Sequence, residues 1–382
     1  MVSFTYQNPT EIRFGVGQIA SLDEVVPKHA SVLLLYGGGS IKQNGVYEQV
    51  VAALKSRKRL EFGGVEPNPH YETLQKASLL ARENGCDFVL GVGGGSVIDA
   101  AKFLSLMIAS QSDDAWDELL GDASNVVPIP NGAVLTLPAT GSESNPVSVI
   151  SSVERHLKLP FSYQSARPRF AILDPSIMRS LSRRQLENGV VDAFTHVLEQ
   201  YLTVETNTPI QMGFSETILE CLITWGPKLI EEQSLEACEN VMWAANQALN
   251  GLIGAGTKQD WSTHMIGHAI TALYGVDHAR SLTMIMPSLL RYKMDQKLPM
   301  LVRYGRRVWG LSGDDRTVAA EAINATEKFM ADMGCPVRIS DANIHVSSDD
   351  LVDHLERAGQ TALGEHGDIK LTDVREILSM SA

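Results

Sequence analysis

Two pairs of ligand-type side chains stand four residues apart in the second half of the chain. Asp192 and His196 occur in Asn188-Gly-Val-Val-Asp-Ala-Phe-Thr-His196, and His264 and His268 in Trp261-Ser-Thr-His-Met-Ile-Gly-His268. Spacing of i, i+4 places both members of a pair on one face of a helix. His278 follows Gly275 and is expected at a helix end or in a loop. One carboxylate with several neutral imidazoles is a nitrogen and oxygen donor set suited to Zn²⁺ or Fe²⁺ and unsuited to Ca²⁺. A single pair of this kind reads more simply as satisfied core or surface side chains. Two pairs and a fifth candidate, in a chain that also carries nucleotide-binding signals, reverse that preference. Spacing alone does not separate His264 from His268 as the ligand. The other histidines (His29, His70, His156, His345, His354 and His366) have no such company and are expected at the surface.

Glycine supplies the second pattern. Gly37-Gly38-Gly39-Ser40 and Gly93-Gly94-Gly95-Ser96 each follow an apolar run. Strand, glycine-rich turn and helix together cradle a phosphate, because the backbone can approach closely and the free N–H groups of the helix start face the anion. The second turn opens Gly-Gly-Gly-Ser-x-x-Asp-x-x-Lys, from Gly93 to Lys102, and departs from the usual dinucleotide fingerprint by having Ser96 where a third spaced glycine is expected. One such turn is as readily a tight connection, but two at strand ends favour a nucleotide. Asp99 can be read plainly as a first-turn acid and Lys102 as a solvated cation. The first turn lacks the carboxylate that an NAD site places after its second strand, and Lys42 lies just beyond it. A hydroxyl and a nearby cation suit a 2′-phosphate, so NADP(H) is expected.

These residues need elements to position them. In the first half, apolar runs at Val32–Tyr36, Phe88–Val92, Ala133–Leu137 and Phe170–Leu173 alternate with amphipathic stretches such as Val46–Lys55 and Glu72–Asn84, which is the βαβ signature. After Asp174 helical periodicity takes over, around 184–203, 210–231, 236–252, 260–273, 281–296 and 318–334. The expected organisation is an α/β dinucleotide-binding domain over 1–178 and an all-helical metal-binding domain over 179–382.

Composition bounds the rest. A chain of 382 residues, 44% hydrophobic and 20% charged, suits two globular domains. A net charge of −13 argues against a nucleic-acid or anionic-membrane surface. Cys86, Cys221, Cys238 and Cys335 lie far apart with no Cys-x-x-Cys pair, which excludes a thiolate zinc motif and fits a reducing compartment. The N-terminus lacks a signal-peptide pattern and no apolar run approaches the ~20 residues of a membrane span. A cytoplasmic protein is expected.

The ordered motifs resemble those of the iron-containing (group III) alcohol dehydrogenase family over nearly the whole chain. The resemblance rests on Ile12-Arg-Phe-Gly-Val-Gly17, Gly93 to Lys102, Leu137-Pro-Ala-Thr-Gly-Ser-Glu143, Asn188 to His196, and His264-x-x-x-His268 with His278. Tyr36-Gly-Gly-Gly-Ser40, Glu61-Phe-Gly-Gly-Val-Glu-Pro-Asn-Pro69 and Ala248-Leu-Asn-Gly-Leu-Ile-Gly-Ala255 resemble the bacterial NADPH-dependent aldehyde reductases of the butanol dehydrogenase type within it.

The resemblance implies a Rossmann-like domain followed by a helical, dehydroquinate synthase-like one, and a homodimer. It implies metal ligation by Asp192, His196, His264 and His278, which leaves His268 on the substrate side. It also implies that Gly37, Gly38, Gly39, Ser40, Asn68, Gly94, Gly95, Ser96, Asp99, Thr136, Thr140, Ser142 and Lys158 line the cofactor. One departure, Pro146 and Val147 after Asn145 in place of smaller residues, bears on the substrate and not on the chemistry.

The chemistry so implied is hydride transfer between NADP(H) and a small alcohol or aldehyde, with Fe²⁺ or Zn²⁺ as the Lewis acid and His268 relaying the proton. The site is expected between the domains. A sugar-phosphate cyclase resembling dehydroquinate synthase would need a basic cluster. The ligand motifs offer only Lys258 and Arg280, among the apolar Leu252, Ile253, Trp261, Met265 and Ile266. A non-catalytic regulator would be expected to have lost ligands or glycines, and this chain keeps them.

Overall fold

Short Val, Leu and Ile runs bounded by glycine and polar turns build a parallel sheet in the first part of the chain. Its strands are β1 (Glu11–Phe14), β2 (Ser31–Tyr36), β3 (Lys58–Phe62), β4 (Phe88–Gly94), β5 (Asn131–Leu137) and, after the hairpin β6 (Val147–Ser152) and β7 (Leu157–Ser162), β8 (Phe170–Leu173). The strand order is β1-β8-β5-β4-β2-β3, with every pairing parallel, whereas β6 and β7 pair antiparallel in a sheet of their own. The computed structural model describes residues 1–382 apart from 111, 113 and 122–124. It divides into two units, Gln7–Leu181 and Ser182–Ala382 with Met1–Tyr6.

Successive side chains on a strand face opposite sides, and both sides of this sheet are covered. Leu33, Leu35 and Val89 pack with Leu74 of α3 (Tyr71–Glu83) and Phe103 of α4 (Gly95–Ala109). Val32, Leu34, Phe88 and Leu90 pack on the other side with Val46 and Val50 of α2 (Val46–Ala53) and Leu22 of α1 (Leu22–Val25). The short α5 (Ala115–Leu120) adds Trp116 to the first core. The hairpin β6–β7 is not foreshadowed by an apolar run, because Lys158 and Pro160 interrupt its second strand.

The second unit is built of helices. α6 (Arg183–Tyr201), α7 (Pro209–Glu232), α8 (Leu235–Ala248) and α9 (Ser262–Tyr274) fall where periodicity predicts them. The helix expected over 281–296 differs: α10 (His278–Tyr292) ends at Lys293 and α11 (Met294–Arg307) begins at once. α12 (Asp315–Asp332), α13 (Ser348–Arg357) and α14 (Leu371–Met380) complete the set, with a two-stranded antiparallel ladder, β9 (Ala362–Leu363) and β10 (Ile369–Lys370), inside the stretch read as all-helical. α6 opens on a reciprocal capping box, in which Gln185 N donates to Ser182 Oγ at 3.3 Å and Ser182 N donates to Gln185 Oε1 at 3.0 Å.

A buried lysine ties this unit together. Lys297 on α11 donates to Leu202 O and Glu365 Oε1, each at 2.7 Å, and lies 3.0 Å from Asp260 Oδ2. It thereby joins the end of α6, the segment before α9 and the turn before β10. Burial opposes its charge, but Asp260 and Glu365 outweigh that and hold its pKa above the ordinary value. Removing one partner of such a cluster leaves uncompensated buried charge. Lys297→Met is therefore expected to destabilise the protein by about 3–5 kcal/mol, read by urea denaturation.

Candidate metal centre and dinucleotide cradle

Asp192 and His196 lie two turns into α6 on one face, both buried, with His196 Nδ1 3.7 Å from Asp192 Oδ1. His264 comes from the first turn of α9. Donor atoms of Asp192, His196 and His264 all lie within 4.8 Å of one another, and the rings of His196 and His264 are 4.6 Å apart. His278 is the first residue of α10, at a helix end as its glycine neighbour suggested, and its Nε2 is 3.8 Å from Asp192 Oδ1. Ligand bonds of about 2.0–2.2 Å to one ion put donor atoms on the order of 3–4 Å apart. One carboxylate and three imidazoles at these separations fit a divalent cation of the zinc or iron kind. His268, one turn after His264, stands outside the three-residue group, with its ring 4.9 Å from that of His278 and 6.0 Å from that of His264.

Around this group lie one residue that sequence reading passed over, Glu199, and one that it named only as apolar surroundings, Trp261. Glu199, one turn beyond His196 on α6, is buried and hydrogen-bonded to His264 Nδ1. Burial and the neighbouring Asp260 push its carboxyl well above the usual range, while the N–H groups of His264 and Thr263 and the Lys297 ammonium pull it back. Trp261, just before α9, adopts a left-handed backbone (φ 65°), and its ring lies 5.2 Å from that of His264. The signal for Glu199 was present in the sequence, since 192, 196 and 199 share a helix face. Arg280, one of the two basic residues near the ligand motifs, is occupied: it donates to Glu187 Oε2 at 2.9 Å, Asn188 Oδ1 at 3.1 Å and Gly334 O at 3.1 Å. His354, expected at the surface, is instead buried on α13, where burial and Arg357 lower its pKa.

In the sheet unit, α4 begins at Gly95 directly after β4, with no side chain capping its start. A Cβ at Gly93 would meet Val97 at 2.6 Å and one at Gly95 would meet Thr140 Oγ1 at 2.4 Å, so glycine is needed for the turn and for the close approach of β4, α4 and the 138–145 loop. Gly37 to Ser40 form the turn after β2, with Gly39 left-handed (φ 94°) and Gly37 facing Val97 of α4. Ser96 Oγ accepts from Asn68 N at 3.3 Å, and Asn68, itself left-handed, accepts from Lys158 Nζ at 2.8 Å. Asn68, Ser96 and Lys158 thus form one linked set. Thr136 is on β5, at the register irregularity opposite Gly93 and Gly94.

Asp99 and Ser142 form a second set. Ser142 Oγ donates to Asp99 Oδ1, and Val149 N donates to Asp99 Oδ2 at 2.9 Å. Lys102 is not solvated: it is fully buried, 3.3 Å from Asp99 Oδ1, and donates to Asn145 Oδ1 at 3.2 Å and to Val147 O. Burial lowers its pKa and Asp99 opposes the fall. The Asp and Lys of the Gly93–Lys102 motif therefore hold the 142–149 segment against α4.

Residues 9–175 match the family described as iron-containing alcohol dehydrogenase, and residues 187–381 match the C-terminal part of the Fe-containing alcohol dehydrogenase family. The chain is 47% identical over 383 residues to the NADPH-dependent aldehyde reductase YqhD of Escherichia coli K12, covering 99% of both chains. The crystal structure of E. coli YqhD superposes with a TM-score of 0.98, covering 100% of this chain and 99% of that one at 46% identity. The NADH-dependent butanol dehydrogenase A of Thermotoga maritima superposes with a TM-score of 0.95 at 34% identity, again covering 100% and 99%. By these matches, which span both the sheet unit and the helical unit, the chain belongs to the iron-containing alcohol dehydrogenase family.

Proposed function

We propose that this protein reduces short- to medium-chain aldehydes to alcohols, and the reverse, with NADP(H) and one divalent metal ion. The observation that carries the reading is the cluster of Asp192, His196 and His264, with His278 beside it, in a chain whose sheet unit presents two glycine turns at strand ends.

Asp192, His196, His264 and His278 would hold the ion. When bound, the metal supplies a Lewis acid for the substrate oxygen and the nicotinamide supplies or accepts the hydride. The chain's own residues bind and orient. Gly37 to Ser40, Gly94 to Ser96, Asn68, Thr140 and Lys158 receive the dinucleotide, Asp99 and Ser142 fix the loop beside it, and Thr136 stands at the strand end below. His268 moves the proton to or from the substrate oxygen, because an imidazole titrates near neutrality.

NADP(H) is assigned from the first turn. It carries no carboxylate, and Lys42 Nζ lies 4.8 Å from the Tyr36 ring and 4.7 Å from the Tyr47 ring. The E. coli relative is named NADPH-dependent and the Thermotoga relative NADH-dependent, so family membership leaves the choice to these side chains. The family resemblance supports a homodimer. A cytoplasmic setting is supported by the absence of any disulfide among the four cysteines, and no helix of the described residues is long and apolar enough to cross a membrane.

Two measurements test the reading. Absorbance at 340 nm with butyraldehyde should show oxidation of NADPH in preference to NADH, lost on chelation and restored by Zn²⁺ or Fe²⁺. Preference for NADH would overturn the assignment of Gly37 to Ser40, and no turnover by metal-replete protein would overturn the reaction class. His268→Ala should keep its metal but lose about a hundredfold in kcat and flatten the pH profile of kcat. Unchanged turnover and pH profile would remove the proton-relay role.

A further inference from the structure

Asp192, His196 and Glu199 occupy one face of α6 at i, i+4 and i+7. The Glu199 side chain is 3% exposed and spends both carboxylate oxygens on the start of α9. Oε1 accepts from Thr263 N at 2.7 Å and from His264 N at 3.3 Å, and Oε2 is hydrogen-bonded to His264 Nδ1. Its backbone also takes part, because Glu199 O accepts from Asp260 N at 2.9 Å. The residue at the N-cap of α9, Trp261, is left-handed and offers no side-chain cap. Two orphan donors of this helix start, Thr263 N and His264 N, are therefore answered from another helix.

Capping needs one oxygen, and the second goes to the ring. A neutral imidazole donates at one nitrogen and accepts at the other, so the partner of Nδ1 decides what Nε2 can do. With its proton on Nδ1 and directed at Glu199, the ring presents the Nε2 lone pair.

We propose that Glu199 is a positioning residue for the metal: it holds His264 protonated at Nδ1, directs Nε2 to the ion, and fixes the α9 start that carries His264 against the α6 face that carries Asp192 and His196. This rests on the ligand set proposed above. Asp260 and Lys297 stand behind it, since Asp260 Oδ1 accepts from Ser262 N at 3.0 Å while its Oδ2 meets Lys297. The first turn of α9 is thus gripped by two acids, of which only Glu199 is hydrogen-bonded to the His264 ring.

The test compares wild type, Glu199→Ala, Glu199→Gln and His264→Ala by Zn²⁺ competition with a chromogenic chelator, and by melting of the metal-free and Zn²⁺-loaded forms. Glu199→Ala should bind Zn²⁺ about 10–100-fold more weakly than wild type. Its Zn²⁺-induced rise in Tm should shrink, and Glu199→Gln, whose amide oxygen still accepts from Nδ1–H, should lie between. A residue that only capped α9 would lower both melting temperatures together and leave the competition curve in place. Wild-type Zn²⁺ affinity in Glu199→Ala, with affinity lost in His264→Ala, overturns this inference and spares the ligand set. Wild-type affinity in His264→Ala, or no binding by wild type, overturns both. Should Glu199→Ala not fold, Zn²⁺-loaded wild type with ¹⁵N-labelled imidazoles decides. The ring whose signals vanish in His264→Ala must carry its proton on Nδ1 and its metal on Nε2, and metal on Nδ1 overturns the proposal.

Discussion

The helical unit is organised around a buried carboxylate. Asp192 has almost no access to water and lies among imidazoles of α6, α9 and α10. A buried anion is tolerated when a cation or several donors face it, and otherwise costs several kcal/mol. Three helices must therefore be delivered to one point. α6 does most of this as a polar helix run through an apolar interior. Its buried polar groups are answered one after another: Thr195 Oγ1 donates to Val191 O at 2.8 Å, Gln200 Nε2 to His196 O at 2.7 Å and Ala248 O at 2.8 Å, and Tyr201 OH to Glu216 Oε1 at 2.9 Å. The bonds to Ala248 and Glu216 tie α6 to its neighbours and hold its orientation, as a helix that would bear ligands needs.

The sheet unit meets a different constraint, which is closeness. β4 and α4 pack so tightly that a Cβ at Gly91 would meet Ala101 at 2.9 Å, before the same problem recurs at Gly93 and Gly95. This brings the free N–H groups at the start of α4 to the end of the strand, where an anion is best held. It also explains why the motif's lysine is not the phosphate ligand its charge suggests. Lys102 is two turns into α4 and buried, with its ammonium turned to Asn145, Val147 and Asp99. In the proposed reading the backbone N–H groups of this turn would hold the anion, and the charged pair behind them is scaffold.

What was legible in the sequence follows from the range of the interactions. Strands β2, β4, β5 and β8 announce themselves by apolar runs that stop at glycine, at Pro138 or at Asp-Pro, and α6 and α9 by periodicity, because these are local properties. The pairs 192/196 and 264/268 are legible for the same reason. The grouping of His264 rather than His268 with Asp192 is a tertiary fact, and periodicity has no access to it. Lys102, Lys297 and His354 were misread or missed because a titratable side chain reads as exposed unless its partner is visible. Asn145 lies 43 residues from Lys102 and Glu365 lies 68 from Lys297, whereas the near neighbours Asp99 and Arg357 give no sign of the packing that buries Lys102 and His354. The break between α10 and α11 had no glycine to mark it, and Pro287 and Pro299 lie inside helices without ending them.

Fold does not decide between the two nicotinamide cofactors, since relatives named for each superpose on this chain with TM-scores of 0.98 and 0.95. In the proposed reading the choice falls to a small surface group in the sheet unit. Lys42 lies 3.4 Å from Glu61 Oε2, and Glu61 Oε1 accepts from Tyr47 OH at 2.6 Å with Arg59 Nε 3.7 Å away. Glu61 is thus held by two cations and a phenol rather than standing ready for ribose hydroxyls. In the proposed reading a 2′-phosphate gains Lys42 at a modest cost, because an exposed pair such as Lys42–Glu61 contributes only about 0–1 kcal/mol. NADH, lacking that phosphate, gains nothing from the lysine and finds no carboxylate on Gly37 to Ser40. Selectivity is then a difference between two affinities, set by an attraction offered to one cofactor and a hydrogen-bond acceptor withheld from the other.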